Sequence, residues 1–471
     1  MDLSLLPATQ QADLARSGMV SARELLDACV DRYQRHNDEL NAVVVERIEL
    51  AQGYAAELDR RQAAGDELGP LHGVPMTVKD VIDWTGTPST WGDPVAKDYR
   101  PVTNAVLLDR LFGAGVVVWG KTNVPVQLAQ WQTFNDIYGR TNNPWDLERT
   151  PGGSSGGSAA AIAVGMAGLE IGSDIGGSIR FPAHYCGIFG HKPTFGVVPS
   201  KGHNYPGQEA VVDINVCGPL ARTANDLEAA MAVLSTAQLP VESRDSLSEF
   251  TVGVMLENPL GEQDDELTVV LESAVAALIS AGVSVTRIQN PVDHVAAQEL
   301  YCQLVRAATS ALDIHPDDAA HARRFDQGDR DYRAAAGKGA SLSHLEWIEL
   351  HNQRERLREQ WAAYFGEVDL LLCPPAASAA TPHDTLISFG DQMIQVNGHA
   401  ASTVEQWLWA GIASGPYLPA TIAPVGLTVS GLPVGIQILA PDRHDLRSIR
   451  FAALLERELG GFVPPPITNS P

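Results

Sequence analysis

Gly73-Val74-Pro75-Met76-Thr77-Val78 and, further on, Val116-Val117-Val118-Trp119-Gly120 are short apolar runs, and residues 106–112 between them carry apolar side chains at helical spacing. A strand, a helix and a second strand in that order is the rhythm of a parallel pair joined by a crossover helix, so the chain is read as α/β. Working back toward the N-terminus, Ser21-Ala22-Arg23-Glu24 reads as a capping box, followed by Leu25, Leu26, Cys29, Val30 and Tyr33 at helical spacing. A long amphipathic stretch over 46–64 comes next, closed by Gly65. Working forward, residues 159–167 are small and apolar, suited to a helix buried on all sides. Residues 226–234 read as a helix, and 251–255 and 283–288 as strands. From 293 to 365 the chain is richer in charge and helical in pattern, a layer or cap attached to the sheet. Strands at 370–373, 420–425 and 435–440 return to it. No internal repeat and no linker divides the chain, so residues 1–471 are expected to form one large domain.

Composition narrows the partners. Hydrophobic residues make up 45% of the 471 positions and charged residues 19%, enough for a sizeable core. With 57 acidic against 33 basic residues the formal charge is -24, a field that repels phosphate backbones and anionic membranes, so neither nucleic acid nor a membrane is expected as a partner. The five cysteines are scattered without a CxxC pair, which fits reduced thiols and a cytoplasmic setting. The first residues lack a basic region followed by an apolar core, and no apolar stretch approaches the ~20 residues of a membrane span; a soluble protein is expected.

Three segments carry chemistry. Pro151-Gly152-Gly153-Ser154-Ser155-Gly156-Gly157-Ser158 is too rich in glycine for a helix or strand interior. A phosphate cradle would need a Lys-Ser/Thr pair at the helix entrance, where Ser158-Ala159-Ala160 stands instead, and a flexible linker would not lead directly into a buried helix. Gly172-Ser173-Asp174-Ile175-Gly176-Gly177-Ser178-Ile179-Arg180 places a serine behind two glycines, a backbone able to aim consecutive N–H groups at one point and hold an oxyanion, though many such loops are only turns. Val78-Lys79-Asp80 puts a lysine at the end of an apolar run. Buried, such a lysine loses its proton readily enough to act as a base; the other readings are a snorkelling side chain or a pair with Asp80.

In this order the segments resemble the amidase signature family: the run from Gly73 to Asp80, Gly152 to Ala161, and Gly172 to Ala183. Further matches are Gly120-Lys121-Thr122-Asn123, Tyr138-Gly139-Arg140-Thr141-Asn142-Asn143-Pro144, Gly190-His191-Lys192-Pro193-Thr194 and Gly431-Leu432-Pro433-Val434-Gly435. The resemblance spans nearly the whole chain and is thin between 293 and 365. It implies a central mixed sheet covered by helices on both faces, with a helical layer near the substrate side. In that scheme 1–65 are N-terminal helices, 66–235 the core with the catalytic residues, and 290–365 the divergent helical region. Carried over residue by residue, the catalytic lysine falls on Lys79, the bridging serine with its cis peptide on Ser154, and the nucleophile on Ser178. The oxyanion donors fall on the backbone amides of Ile175, Gly176, Gly177 and Ser178. Ser155 is the rival within its pair, and the resemblance favours Ser154.

The resemblance implies hydrolysis of a C–N bond through an acyl-enzyme, with no cofactor and no metal. A neutral Lys79 takes a proton from Ser154, which takes one from Ser178, so a hydroxyl attacks a carbonyl without histidine. None of the 13 histidines has paired-ligand spacing, and His184, Cys186 and His191 read as a turn beside the nucleophile rather than a metal site. Asp174 and Arg180 flank the nucleophile and are expected to pair and brace the loop.

The substrate must be read outside the signature. Glutamine-dependent tRNA amidotransferases carry the same signature in the chain that hydrolyses glutamine, and there an acidic residue upstream of the final Pro-x-Gly helps bind the glutamine amino group. Counting back from Pro424-Val425-Gly426, that position falls on or near Trp407, with Trp409 beside it and Glu405 two positions away. Two tryptophans make an apolar wall suited to an aryl or alkyl amide. Trp131 and Phe134 either line the acyl side or belong to the core. The expected substrate is a small hydrophobic carboxylic amide, with a carbamate, an ester or the amidotransferase role as alternatives, and a monomer or homodimer needing no partner chain. A non-catalytic binder of amide-like ligands is the rival of another class, against which the intact Lys79, Ser154 and Ser178 argue.

Overall fold

The computed structural model describes residues 2–288, 291–312, 316–387 and 389–469. The helical region expected over 290–365 includes positions 290 and 313–315, which lie outside the described residues. Helix α1 (Ala8–Arg16) leads into α2 (Ala22–Leu40), whose start is the expected capping box: the Glu24 amide donates to Ser21 Oγ at 3.1 Å and the Ser21 amide to the Glu24 carboxylate at 2.9 Å. Asn41 ends α2 with a φ of 50°. The chain then forms a strand, β1 (Val43–Glu46), before α3 (Ile48–Ala64). The periodicity of the following helix hid that strand, which its valine run supports through pairing rather than amphipathicity.

The opening unit is found as read. Strand β2 (Pro75–Lys79), helix α4 (Val106–Gly113) and strand β3 (Val117–Thr122) form a parallel pair with its crossover, and every residue of both strands is buried. A short ribbon of β4 (Phe134–Asn135) and β5 (Gly139–Arg140) precedes α5 (Gly156–Ala163), β6 (Leu169–Asp174), α6 (Arg180–Cys186), β7 (Phe189–Lys192), β8 (Val216–Ala221) and α7 (Ala224–Leu234). Helix α5 is buried along its whole length as expected, but it begins in the glycines of the loop and stops short of Ala167. The chain continues through β9 (Thr251–Val254), α8 (Asp265–Ser280) and β10 (Ser284–Arg287). The divergent region then folds as α9 (His294–Thr309), α10 (Asp318–Asp326), α11 (Tyr332–Ala340) and α12 (His344–Tyr364). Strand β11 (Leu370–Cys373), a hairpin of β12 (Met393–Val396) and β13 (His399–Ser402), helix α13 (Trp407–Ser414), strands β14 (Ala420–Leu427) and β15 (Pro433–Leu439), and helix α14 (Asp445–Leu459) complete it.

Among the described residues eleven strands make one mixed sheet in the order β1-β3-β2-β6-β8-β7-β14-β15-β11-β9-β10. Its two faces can be told from the alternation of side chains along a strand. On β11, Leu370 and Leu372 join a core with Leu227 of α7, Leu271 of α8 and Phe451 of α14. Leu371 and Cys373 join another, with Leu304 of α9, Trp361 of α12 and Trp409 of α13. The sheet is thus covered by helices on both faces, as the resemblance implied. Among the described residues no helix is long and apolar enough to cross a membrane. The strand order brings the C-terminal end of β2 beside that of β6, which sets Lys79 next to the loop after Asp174.

Candidate active site

Lys79 is the last residue of β2, and its side chain is wholly buried. Its Nζ donates to Ser154 Oγ at 2.7 Å and to Ser173 Oγ at 3.0 Å. Burial pulls its pKa down to about 7, against the weaker upward pull of nearby Cys217, Asp174 and Glu170. It does not pair with Asp80, whose carboxylate accepts from the Thr90 hydroxyl at 2.6 Å and lies 3.9 Å from Lys121. Beneath Lys79, Glu170 stands opposite Thr77 in the β2–β6 register and accepts from the Thr77 hydroxyl, from Ser158 Oγ at 3.2 Å and from Thr122 Oγ1 at 3.4 Å. Burial pushes that carboxyl up to about 8. Neither Ser173 nor Glu170 was read from the sequence as part of the site, although a lone glutamate in an apolar strand was a signal.

The glycine and serine loop delivers Ser154 through a cis Gly153–Ser154 peptide. Ser155 turns the other way: its hydroxyl donates to Ser173 O at 3.4 Å, and its amide donates to Ser178 O at 3.1 Å, which fastens the two loops to each other. Ser178 is 5% exposed and opens onto a cavity of about 560 Å³. Among the described residues no hydrogen bond joins the hydroxyls of Ser154 and Ser178. Catalytic hydrogen bonds commonly close only around a substrate.

Asp174 organises the loop that carries Ser178. Its carboxylate accepts from the amides of Gly177 at 2.9 Å and Ile179 at 3.1 Å, and from Arg180 Nη2 at 2.9 Å and Nε at 3.0 Å. Burial alone would raise this carboxyl, but the charge and hydrogen bonds of Arg180 outweigh that and hold it at about 2. Arg180 also donates to Ala410 O at 3.0 Å, Gln437 Oε1 at 2.8 Å and Ser414 Oγ at 2.7 Å, tying the loop to α13 and β15. Gly177 has a φ of 95°, and a side chain there would run into the Phe181 ring, so only glycine fits. Of the four amides that the resemblance names as oxyanion donors, that of Gly177 is committed to Asp174.

The cavity wall is aromatic beside Ser178. Trp131, Tyr332, Phe389 and Trp407 line it, with ring centroids 5.4 Å apart for Trp131 and Trp407 and 5.9 Å for the stacked Tyr332 and Trp407. Arg306, paired with Asp318 at 2.7 Å, and Arg333, paired with Asp391, also line it. Two expected pocket residues are placed elsewhere. Trp409 is 1% exposed and faces the core, since successive positions of α13 point in different directions, and Phe134 is held in the β4–β5 ribbon; neither is among the described residues lining the cavity. Glu405 is exposed and is not among the lining residues either. His184 is engaged by Gly435 N at 2.8 Å and His191 lies 3.2 Å from Asp445, and among the described residues no group of three His, Cys, Asp or Glu is arranged to hold a metal ion.

Comparison with known proteins gives the same family as the motifs. The Amidase family model matches residues 24–448. The chain is similar to an acylamidase of Rhodococcus erythropolis, 32% identical with 97% of this chain and 96% of that protein covered. It is also similar to an indoleacetamide hydrolase of Bradyrhizobium diazoefficiens, 30% identical with 96% and 86% covered. Among solved structures, a bacterial aryl acylamidase of the amidase signature family superposes with a TM-score of 0.79 at 27% identity, covering 96% of each chain.

Proposed function

Because the chain belongs to the amidase family, we propose that it hydrolyses the C–N bond of a small hydrophobic carboxylic amide, with Ser178 as nucleophile, Ser154 as proton carrier and Lys79 as base. The observation that carries this reading is Lys79: a wholly buried amine with its pKa near 7, 2.7 Å from a serine whose neighbour is hydrogen-bonded to Ser178. Burial disfavours the charged ammonium, and the two serine hydroxyls on its amine give a neutral Lys79 a proton to take.

With Nζ neutral, its bond to Ser154 reverses and Ser154 Oγ–H donates to the amine. Ser154 passes its own proton to Lys79 and takes that of Ser178 as Ser178 Oγ bonds to the substrate carbonyl carbon, and the electron pair of the C=O bond moves to oxygen. The amides of Ile175, Gly176 and Ser178 are the donors available to that oxyanion. As the C–N bond breaks, Ser154 protonates the departing nitrogen and regains a proton from Lys79. Water then attacks the acyl-enzyme by the same relay, its proton passing to Ser154, and Ser178 leaves with a proton to release the carboxylic acid.

The aromatic wall favours an aryl or alkyl acyl group over a zwitterion. Seating an ammonium where Trp407 stands would leave a charge desolvated, at roughly several kcal/mol. The test is a panel of aryl amides, carbamates, esters and glutamine offered to the isolated chain. Hydrophobic amides are expected to exceed glutamine by orders of magnitude in kcat/KM, with no partner chain. Comparable glutamine hydrolysis, or a clear gain on adding the partner chains of an amidotransferase, favours the tRNA-linked role. A preference for carbamates or esters assigns those leaving groups to the same triad.

A further inference from the structure

The peptide units after Asp174 are held from outside the loop. The carbonyl of Ile175 accepts from the Tyr301 hydroxyl at 2.9 Å, and the carbonyl of Gly176 accepts from Trp131 Nε1 at 2.8 Å. The unit joining Gly176 to Gly177 is therefore clamped at both ends, since its N–H donates to Asp174 at 2.9 Å. The unit joining Ile175 to Gly176 is clamped at its carbonyl end by Tyr301. In a trans peptide the C=O and N–H point in opposite directions, so fixing the carbonyl toward α9 turns the Gly176 N–H away from that helix. Ile175, Gly176 and Ser178 all line the cavity, so the loop borders the space open to substrate. Gly176 packs close under the Trp407 ring, which a side chain at this position would meet at 2.8 Å. Tyr301 itself is 1% exposed, and burial raises its phenol pKa well above the ordinary value, so the hydroxyl stays a neutral donor.

We propose that Tyr301 is a positioning residue for the oxyanion site: its hydroxyl holds the Ile175 carbonyl and thereby aims the Gly176 amide at the oxygen of the reacting carbonyl. This rests on Ser178 being the nucleophile. It assigns a part in the reaction to α9, which belongs to the region where the family resemblance is thinnest. The same helix brings Cys302, Val305 and Arg306 to the cavity, so one element shapes the substrate wall and sets the donor geometry.

Tyr301→Phe keeps the ring and removes only the hydroxyl. A misaimed donor costs less than a deleted one, for which the loss in kcat is about 100- to 1,000-fold; kcat for an aryl amide is therefore expected to fall about 10- to 100-fold with KM changed less than about twofold. Affinity for a trifluoromethyl ketone, which forms an oxyanion on Ser178, should fall by the same factor, while affinity for the carboxylic acid product stays level. An unchanged kcat, or a loss confined to KM and thermal stability with ketone affinity intact, overturns the proposal. As a second variant, replacing Tyr301 by 3,5-difluorotyrosine keeps the hydroxyl and alters only its strength as a donor. A shift in the carbonyl stretch of the Ser178-bound acyl group supports the proposal, and an unmoved stretch overturns it. Wild-type chain that neither turns over nor reacts with the ketone would instead refute Ser178 as nucleophile, so the two failures are separable.

Discussion

Replacing Asp174 by asparagine removes a charge and changes almost no volume, which makes it a sharp test of how the nucleophile loop is braced. Both carboxylate oxygens face donors: the Gly177 amide and Arg180 Nη2 on one, the Ile179 amide and Arg180 Nε on the other. An asparagine presents only one acceptor oxygen, so its NH2 group must face N–H donors. Arg180 is 1% exposed and keeps only neutral partners in the variant. Holding the carboxyl at about 2 rather than 3.8 corresponds to about 2 kcal/mol, and breaking a buried ion pair from one side costs about 3–5 kcal/mol. Asp174→Asn should therefore lose about 2–5 kcal/mol, a sizeable part of the ~5–15 kcal/mol that holds an ordinary domain together. A folded pKa lowered below the unfolded value gives stability that is complete above about pH 5 and fades as pH falls from 3.8 toward 2. Urea denaturation of wild type and variant from pH 8 to pH 3 reads this: the gap should be constant down to about pH 5 and narrower at pH 3. A variant within about 0.5 kcal/mol of wild type at pH 7, or a gap that widens in acid, would refute the reasoning.

Three further outcomes follow from the same geometry. The profile of kcat/KM should rise with pH through a midpoint near 7, because the base works only after Lys79 loses its proton; a flat profile between about pH 5 and 9 contradicts that assignment. Lys79→Ala should lower activity by several orders of magnitude, and more for amides than for the matching esters, whose leaving groups need less protonation; equal losses for the two would place the proton relay elsewhere. Trp407→Ala should raise KM for an aryl amide by roughly tenfold or more while affecting an acetamide-sized substrate little, and equal effects on both would remove Trp407 from the binding wall.

Much of this molecule can be read from local pattern. Strands β2, β3 and β11 are fully buried, so they read as apolar runs broken only by Thr77, Lys79, Lys121 and Thr122, and the capping box at Ser21 and Glu24 is a purely local device. Lys79, Ser154 and Ser178 stand in three short motifs whose order alone points to a family. What escaped depends on distant partners. Val43 to Glu46 is a strand because β3 lies beside it, and the helix that follows masked it. The β12–β13 hairpin was legible and unread: Asn397-Gly398, both with positive φ, is the commonest two-residue turn signal. Trp407 and Trp409 look alike in sequence, yet only one of them reaches the cavity, because a residue two places further along a helix points elsewhere. Tyr301 carries no motif, and its bond to the carbonyl of Ile175 shows only once α9 is placed beside that loop.

The assignment of Ser178 as nucleophile is tested most directly by treating the purified chain with a fluorophosphonate probe and locating the adduct by mass spectrometry of its peptides. A single adduct on Ser178 is predicted, absent from Ser178→Ala and formed more slowly in Ser154→Ala and Lys79→Ala, because both lie on the path that removes the Ser178 proton. An adduct on Ser154, Ser155 or any other residue, or no adduct on a folded chain that hydrolyses amides, would contradict it.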